Sequence, residues 1–177
     1  MRLHLAFAAL GLAALTASPS LAASLTAPMA LTTPQGTGAG VGQITFRDGV
    51  GGILIDLDLH GLPPGAHGLH VHLNASCAPT TAADGTVTLA GGAGPHLDPG
   101  KTGKHAGPMG GGHMGDLPAA DVGADGKAHT TLPAPQIASV SDLKGHAVVL
   151  HAGGDNYSDQ PAANGGGGGR LACGVLQ

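Results

Sequence analysis

The sequence predicts an all-β fold of short strands joined by two long loops. Residues 53–60, Ile-Leu-Ile-Asp-Leu-Asp-Leu-His, alternate in the period of two that is typical of a half-buried strand. Beyond residue 23, no segment spaces its apolar residues as an amphipathic helix does. The 33 glycines and 13 prolines indicate a chain with many turns.

The predicted strands follow one another between turn residues and two stretches without apolar periodicity. We expect six strand segments, the fourth of which opens in a turn: 42–48, 53–60, 67–73, 124–132, 145–151 and 170–176. The two long loops are 74–116 and 152–169, and the second ends in five glycines. Loops of this length are usually functional or disordered.

The N-terminal residues 1–23 predict a secretory signal peptide. Arg2 precedes an apolar run, and the small residues Ser20-Leu21-Ala22 suit a cleavage site. The run is too short for a spanning helix, although an uncleaved membrane anchor is the alternative. We therefore expect a periplasmic or secreted protein without membrane contact after cleavage. Residues 24–39, rich in Thr, Pro and Ala, predict a flexible lead-in, and residues 40–177 the functional domain.

The two cysteines, Cys77 and Cys173, follow from that location. Export places them in an oxidising compartment, where an even count implies a disulfide rather than two free thiols. A bridge closing a loop of about 100 residues is worth up to about 4.7 kcal/mol in the chain-entropy model.

The charge of the chain argues against nucleic acid as a partner. Seven Lys and Arg residues against eleven acidic ones give a net charge of −4. Neutralising phosphates requires clustered basic side chains, which this sequence lacks.

Histidines carry the chemistry that the sequence offers. His70 and His72 project from the same face of a strand, while Val71 points to the other face. Alone, such a pair is either a metal chelate or surface decoration. Other candidate ligands lie in the first long loop and at a strand end: His96, His105, His113, Asp116 and His151. Imidazole suits copper and zinc, and three histidines with one carboxylate suit tetrahedral zinc.

Six separated motifs occur in a recognisable order. They are GLHVH, GPHLDP, KHAGP, GHMGDLP, LHAGGDNYSD and GGRLACGV. Together, over roughly residues 40–176, the chain resembles the copper/zinc superoxide dismutases, most closely the secreted bacterial branch. The resemblance implies a Greek-key antiparallel β-barrel or sandwich with two long functional loops.

The resemblance also implies a role for each matching residue. The implied copper ligands are His70, His72, His96 and His151, and the implied zinc ligands are His96, His105, His113 and Asp116. His96 would bridge the metals as an imidazolate and pass a proton to the product. Arg170 would attract the anionic substrate, Asp155 would link His70 to His105, and Cys77 and Cys173 would form the family disulfide.

The implied activity is an exported superoxide dismutase with copper and zinc as cofactors. Copper would cycle between Cu(II) and Cu(I), converting superoxide to dioxygen and hydrogen peroxide. The alternatives are a copper carrier without turnover and a purely structural secreted domain; a copper-only variant is disfavoured because the implied zinc ligands are present. The sequence leaves open whether the chain is a monomer or a homodimer.

Overall fold

The computed structural model describes residues 23–177, so the predicted signal peptide, apart from Ala23, lies outside the described residues. The strands of this part are β1 (Ser24–Thr33), β2 (Gly36–Gly49), β3 (Gly52–Leu59), β4 (Gly65–His67), β5 (Leu69–His72), β6 (Thr80–Thr81), β7 (Val87–Thr88), β8 (Ala120–Val122), β9 (Ala128–Ala134), β10 (Ala147–His151) and β11 (Arg170–Val175). The helices of residues 23–177 are short 3₁₀ turns, Gly91–Ala93, Val140–Leu143 and Asn164–Gly166. None of these has the length or hydropathy to cross a membrane.

Seven antiparallel strands form a curled sheet in the order β5-β10-β11-β1-β2-β3-β9. β1, β2 and β3 follow one another as hairpins, and β11 returns by a long connection to lie beside β1, which is the Greek-key arrangement. β4 pairs with β8, and β6 with β7, in two small ribbons. The predicted all-β antiparallel fold is confirmed.

The predicted alternation in β3 places its apolar residues in the core. Ile53, Ile55, Leu57 and Leu59 are all buried, whereas Asp58 on the opposite face is exposed. Because the chain has few aromatic residues, this core consists mainly of Ile, Leu, Val and Ala side chains, together with Phe46.

The expected flexible lead-in, residues 24–39, is wrong. Ser24–Thr33 is β1, at the centre of the sheet between β2 and β11. Ala27 and Met29 are buried there with 0% and 2% exposure. Thr, Pro and Ala suggested disorder, but the alternate small and apolar residues of this segment supply a core-facing side. The functional domain therefore includes the segment from Ser24 onward.

The predicted disulfide joins Cys77 to Cys173 across 96 residues of sequence. Cys173 is buried in β11, next to β1 and β10, while Cys77 lies in the first long loop. The bridge therefore attaches that loop to the middle of the sheet, and the described residues contain no free cysteine.

We predict that Met29→Ala lowers the free energy of unfolding of the metal-free protein by about 2–5 kcal/mol, because it leaves a cavity in the core. Chemical denaturation of residues 24–177 measures this change. The control is Val50→Ala, since Val50 is fully exposed in a turn. A Met29→Ala variant as stable as the parent would mean that β1 is not part of the core.

Candidate metal centre

The edge strand β5 brings most of the candidate ligands together. One edge of β5 pairs with β10. Short stretches of the first long loop pair with its other edge, at isolated bridges between His72 and His96 and between His70 and Asp116. Main-chain pairing thus places a loop histidine and a loop aspartate beside the two strand histidines.

The seven candidate ligands form two groups, and within each group the ligand atoms lie within 4.8 Å of one another. The first, which we call the four-histidine group, consists of His70, His72, His96 and His151. The second, which we call the Asp116 group, consists of His96, His105, His113 and Asp116. His96 belongs to both, so its ring connects the two groups.

Backbone carbonyls set the proton positions on two rings of the four-histidine group. His72 Nδ1 donates to Gly94 O at 2.9 Å, and His151 Nδ1 donates to Gly168 O at 3.2 Å. Because a carbonyl can only accept, these nitrogens carry the protons. The Nε2 atoms of both rings therefore bear lone pairs, and both are buried without a hydrogen-bond partner.

Asp155 sets the proton position on His70 and reaches the Asp116 group as well. Its Oδ2 lies 2.8 Å from His70 Nε2, and its Oδ1 lies 2.8 Å from His105 Nε2. His70 Nδ1 is buried without a partner. The carboxylate of Asp155 therefore links the two groups.

Unpartnered, buried nitrogen lone pairs are unfavourable unless something binds them. Three such atoms converge in the four-histidine group, and His96 adds a fourth ring. A set of four imidazole nitrogens suits copper, which favours tetragonal nitrogen coordination. The residues present therefore fit the copper ion that the resemblance implies.

The Asp116 group is built around one carboxylate oxygen. Asp116 Oδ1 lies 3.0 Å from the Nδ1 atoms of His96 and His105, and 3.2 Å from that of His113. Asp116 Oδ2 accepts a hydrogen bond from Ala106 N at 3.1 Å. Three imidazoles and a carboxylate are a donor set that zinc prefers.

Three histidines of the four-histidine group, His72, His96 and His151, are held neutral. Burial is the main cause: it lowers the pKa of His72 to about 2, of His151 to about 3 and of His96 to about 4. Neighbouring rings and, for His72 and His151, Arg170 add to the effect. Neutral rings have a free lone pair, which metal binding requires.

The Asp116 group contains charged side chains in the metal-free protein. Burial lowers the pKa of His105, but the carboxylates of Asp116 and Asp155 outweigh it and raise this pKa to about 9. Burial likewise opposes ionisation of both carboxyls, yet their hydrogen bonds to histidines keep both pKa values well below the usual range. His105 is thus a buried cation between two buried anions.

Arg170 lies beside the four-histidine group at the start of β11. It pairs across the sheet with His151, and its guanidinium donates to Ala90 O at 2.5 Å and to Gly94 O at 2.6 Å. Gly94 O also accepts from His72, so one carbonyl holds both the arginine and a ring. Arg170 and three of the four histidines line a pocket of about 580 Å³.

Two residues that the sequence left without a role attach the second long loop to the first loop and to the segment that follows it. The hydroxyl of Tyr157 accepts from Ala119 N at 3.0 Å. Asp159 accepts from His105 N at 2.9 Å and from Asn164 N at 3.1 Å. Both residues lie in the motif LHAGGDNYSD, but only their contacts distinguish them from other polar loop residues.

Gly165, the first of the five glycines 165–169, leaves room for the Asp155 carboxylate. Gly165 has a φ of +72°, and a Cβ there would collide with the Asp155 carboxylate and lie 2.8 Å from His105 Nε2. A residue with a side chain would therefore displace the carboxylate that links the two groups.

The remaining histidines of the described residues stand apart from both groups: His60, His67, His129 and His146. His67 is buried, with Nδ1 2.7 Å from His151 O and Nε2 2.9 Å from Pro63 O. His60 and His129 are exposed.

Comparison with known proteins gives a consistent result. The family described as copper/zinc superoxide dismutase (SODC) matches residues 41–176. The superoxide dismutase [Cu-Zn] of Escherichia coli (strain K12) is 48% identical over 166 residues, which are 94% of this chain and 95% of that protein.

Solved structures agree with this match. The Cu/Zn superoxide dismutase from Brucella abortus superimposes with a TM-score of 0.85 at 45% identity, covering 88% of this chain and all of that one. The solution structure of the monomeric copper, zinc superoxide dismutase from Salmonella enterica gives a TM-score of 0.78 at 47% identity, with the same coverage.

We predict that the metal-free protein is most stable near pH 6.5–7. His72, His96 and His151 have lowered pKa values, so the unfolded chain binds more protons below about pH 6.5 and stability falls by up to about 1.4 kcal/mol per pH unit for each histidine. His105 has a raised pKa, so its contribution is complete below about pH 6.5 and is lost as the pH rises through about 9. Denaturation curves from pH 4 to pH 10 test both limbs. The His60→Ala control should leave the profile unchanged, and a stability that rises from pH 6.5 to pH 5 would contradict the assignment.

Proposed function

Because the chain belongs to the copper/zinc superoxide dismutase family, we propose that its superoxide dismutase activity depends on two metal ions held by the four-histidine and Asp116 groups. Copper would be held by His70 Nδ1 and by the Nε2 atoms of His72, His96 and His151. Zinc would be held by the Nδ1 atoms of His96, His105 and His113 and by the Asp116 carboxylate.

The observation that carries this assignment is the set of buried ring nitrogens without partners. His70, His72 and His151 each have one nitrogen engaged with an oxygen and the other free. The free nitrogens face His96, whose Nδ1 is turned to Asp116. The remaining nitrogen of His96 is then left for the copper side.

When bound, copper supplies the one-electron redox couple by which two superoxide anions and two protons become dioxygen and hydrogen peroxide, whereas zinc undergoes no redox change. The task of His96 is to hold its ring between the two groups, with Asp116 fixing the Nδ1 side. His96 also lines the pocket. We assign to its Nε2 the uptake of one proton from water and its transfer to the product, which would take place while this nitrogen is not holding copper.

Asp155 acts through the rings that it touches. Its two oxygens hold the Nε2–H groups of His70 and His105, so it fixes both rings with their Nδ1 atoms turned inward. Oxygen partners of this kind orient ligand histidines and increase their basicity.

Arg170 gives the pocket its affinity for a small anion. It is half-buried, and its guanidinium is fixed by two carbonyl oxygens. Among the described lining residues it is the one basic side chain other than histidine. Its charge therefore attracts superoxide toward the rings of His72, His96 and His151.

We further propose export to the periplasm or beyond, with residues 1–23 as the signal peptide. Arg2, the apolar run after it and the disulfide support this location. The Salmonella enterica relative is described as monomeric. All groups of the proposed site come from one chain, which is consistent with that state.

We predict that His151→Ala reduces superoxide consumption of the copper- and zinc-loaded protein at least about 100-fold. The substitution removes one of the four proposed copper-binding nitrogens, and alanine supplies no replacement. Metal analysis should show copper lost and zinc retained, with the circular dichroism spectrum unchanged. The matched control is His60→Ala, which removes an exposed histidine. Full activity in His151→Ala would refute the copper assignment.

We predict that Arg170→Ala lowers kcat/KM for superoxide about tenfold or more without loss of either metal, because the anion loses its fixed positive partner. Arg170→Lys should retain more of the rate, since it keeps the charge. Rates measured at several ionic strengths, with Arg47→Ala as the control for an arginine outside the pocket, test this role. If copper content falls in Arg170→Ala, the arginine holds the site together instead of attracting the substrate.

A further inference from the structure

We infer that Gln136 is a positioning residue for the zinc ligands, an inference that rests on the proposed function. Its side-chain amide lies within hydrogen-bond distance of three carbonyls: Asp116 O at 2.5 Å, Met114 O at 3.2 Å and His113 O at 3.4 Å. These carbonyls belong to the segment 113–116, which begins and ends with a proposed zinc ligand.

Gln136 contacts the carbonyls of the segment 113–116 that do not bond to β5. Gly115 N donates to Leu97 O, and Gly115 O accepts from Val71 N of β5. Among the described residues, the carbonyls of Met114 and Asp116 have no other hydrogen-bond donor. The segment is thus fixed by β5 and the first loop on one side and by a single side chain on the other.

Gln136 is itself anchored to the core of the sheet. One residue separates it from the end of β9, and the next residue, Ile137, is fully buried and donates its N–H to Ala134 O at 3.2 Å. On its other side, Pro135 packs so closely on Gly52 that a Cβ on that glycine would lie 2.5 Å from Pro135 Cα. The amide therefore connects the ligand segment to the rigid sheet and not to another loop.

The position of Asp116 depends on this connection. Its carboxylate is fully buried and must face three imidazoles at 3.0–3.2 Å. Metal sites need their ligands held within about 0.5 Å of the binding geometry. A donor that fixes the main chain of Asp116 and His113 therefore raises zinc affinity by reducing the reorganisation that binding requires.

Loss of the amide should affect zinc more than folding. Gln136, His113 and Met114 are half-buried, so water can reach the carbonyls of His113 and Met114 when they lose their donor. Water satisfies those carbonyls but does not fix them in place. Loss of the amide should therefore lower zinc affinity while changing the free energy of unfolding little. That difference distinguishes a positioning role from a general structural one.

The experiment compares three variants of the mature protein. Gln136→Met keeps the length of the side chain and removes the donor, Gln136→Arg keeps N–H donors, and Gln43→Met makes the same exchange at an exposed glutamine of β2. Zinc and copper affinities are measured separately by competition with chelators, and the unfolding of the metal-free proteins is measured alongside.

We expect Gln136→Met to weaken zinc binding about 10- to 100-fold, the usual cost of losing a group that orients a metal ligand, with copper affinity and metal-free stability close to the parent values. Gln136→Arg should restore most of the zinc affinity, and Gln43→Met should match the parent. The inference is overturned if Gln136→Met binds zinc like the parent, or if zinc affinity, copper affinity and stability fall together. A parent protein that binds copper but no zinc would instead refute the zinc assignment itself.

Discussion

Three buried imidazoles of the four-histidine group, those of His70, His72 and His151, each donate one ring N–H to an oxygen, and this constraint organises the site. The oxygens belong to Gly94, Gly168 and Asp155. They fix which nitrogen carries the proton and leave the other lone pair without a partner. A protein tolerates several such orphaned atoms in one place only when a ligand uses them. The surrounding fold therefore holds these oxygens within hydrogen-bond distance of the rings.

Two long loops supply these oxygens, and both are tied to the sheet and to each other. The first loop pairs with the free edge of β5 and is bridged to β11 through Cys77 and Cys173. The second loop reaches the first through Asp155 and Asp159. Because an irregular loop has little stability of its own, these few contacts determine how precisely the rings are held.

The two groups differ in charge although they share His96. On one side burial keeps His72, His96 and His151 neutral. On the other, two carboxylates outweigh burial and keep His105 protonated when no metal is bound. A metal that binds among the neutral rings displaces few protons, whereas one that binds beside His105 must displace one. This asymmetry comes from the placement of Asp116 and Asp155, because the imidazoles on the two sides are chemically alike.

The strands with regular alternation and the identity of the chemical groups could be predicted from the sequence. The pattern of β3 and the same-face pair His70 and His72 depend on local periodicity, which a single sequence displays. The motif order identified the family and, through it, the candidate ligands. The sequence did not predict β1. Its Thr, Pro and Ala residues are typical of a flexible segment, and its short alternation of buried residues became recognisable only once β1 was seen between β2 and β11.

Three features could be read only from the folded chain: which nitrogen of each ring is free, which group Gly165 leaves room for, and which atoms Tyr157, Asp159 and Gln136 contact. These are relations between residues far apart in sequence. Gln136, for example, is an ordinary polar residue in a turn, and no local pattern marks it as the donor to carbonyls some twenty residues earlier in the chain. Hydrogen-bond direction and the distance between loops exist only after the sheet has brought the segments together.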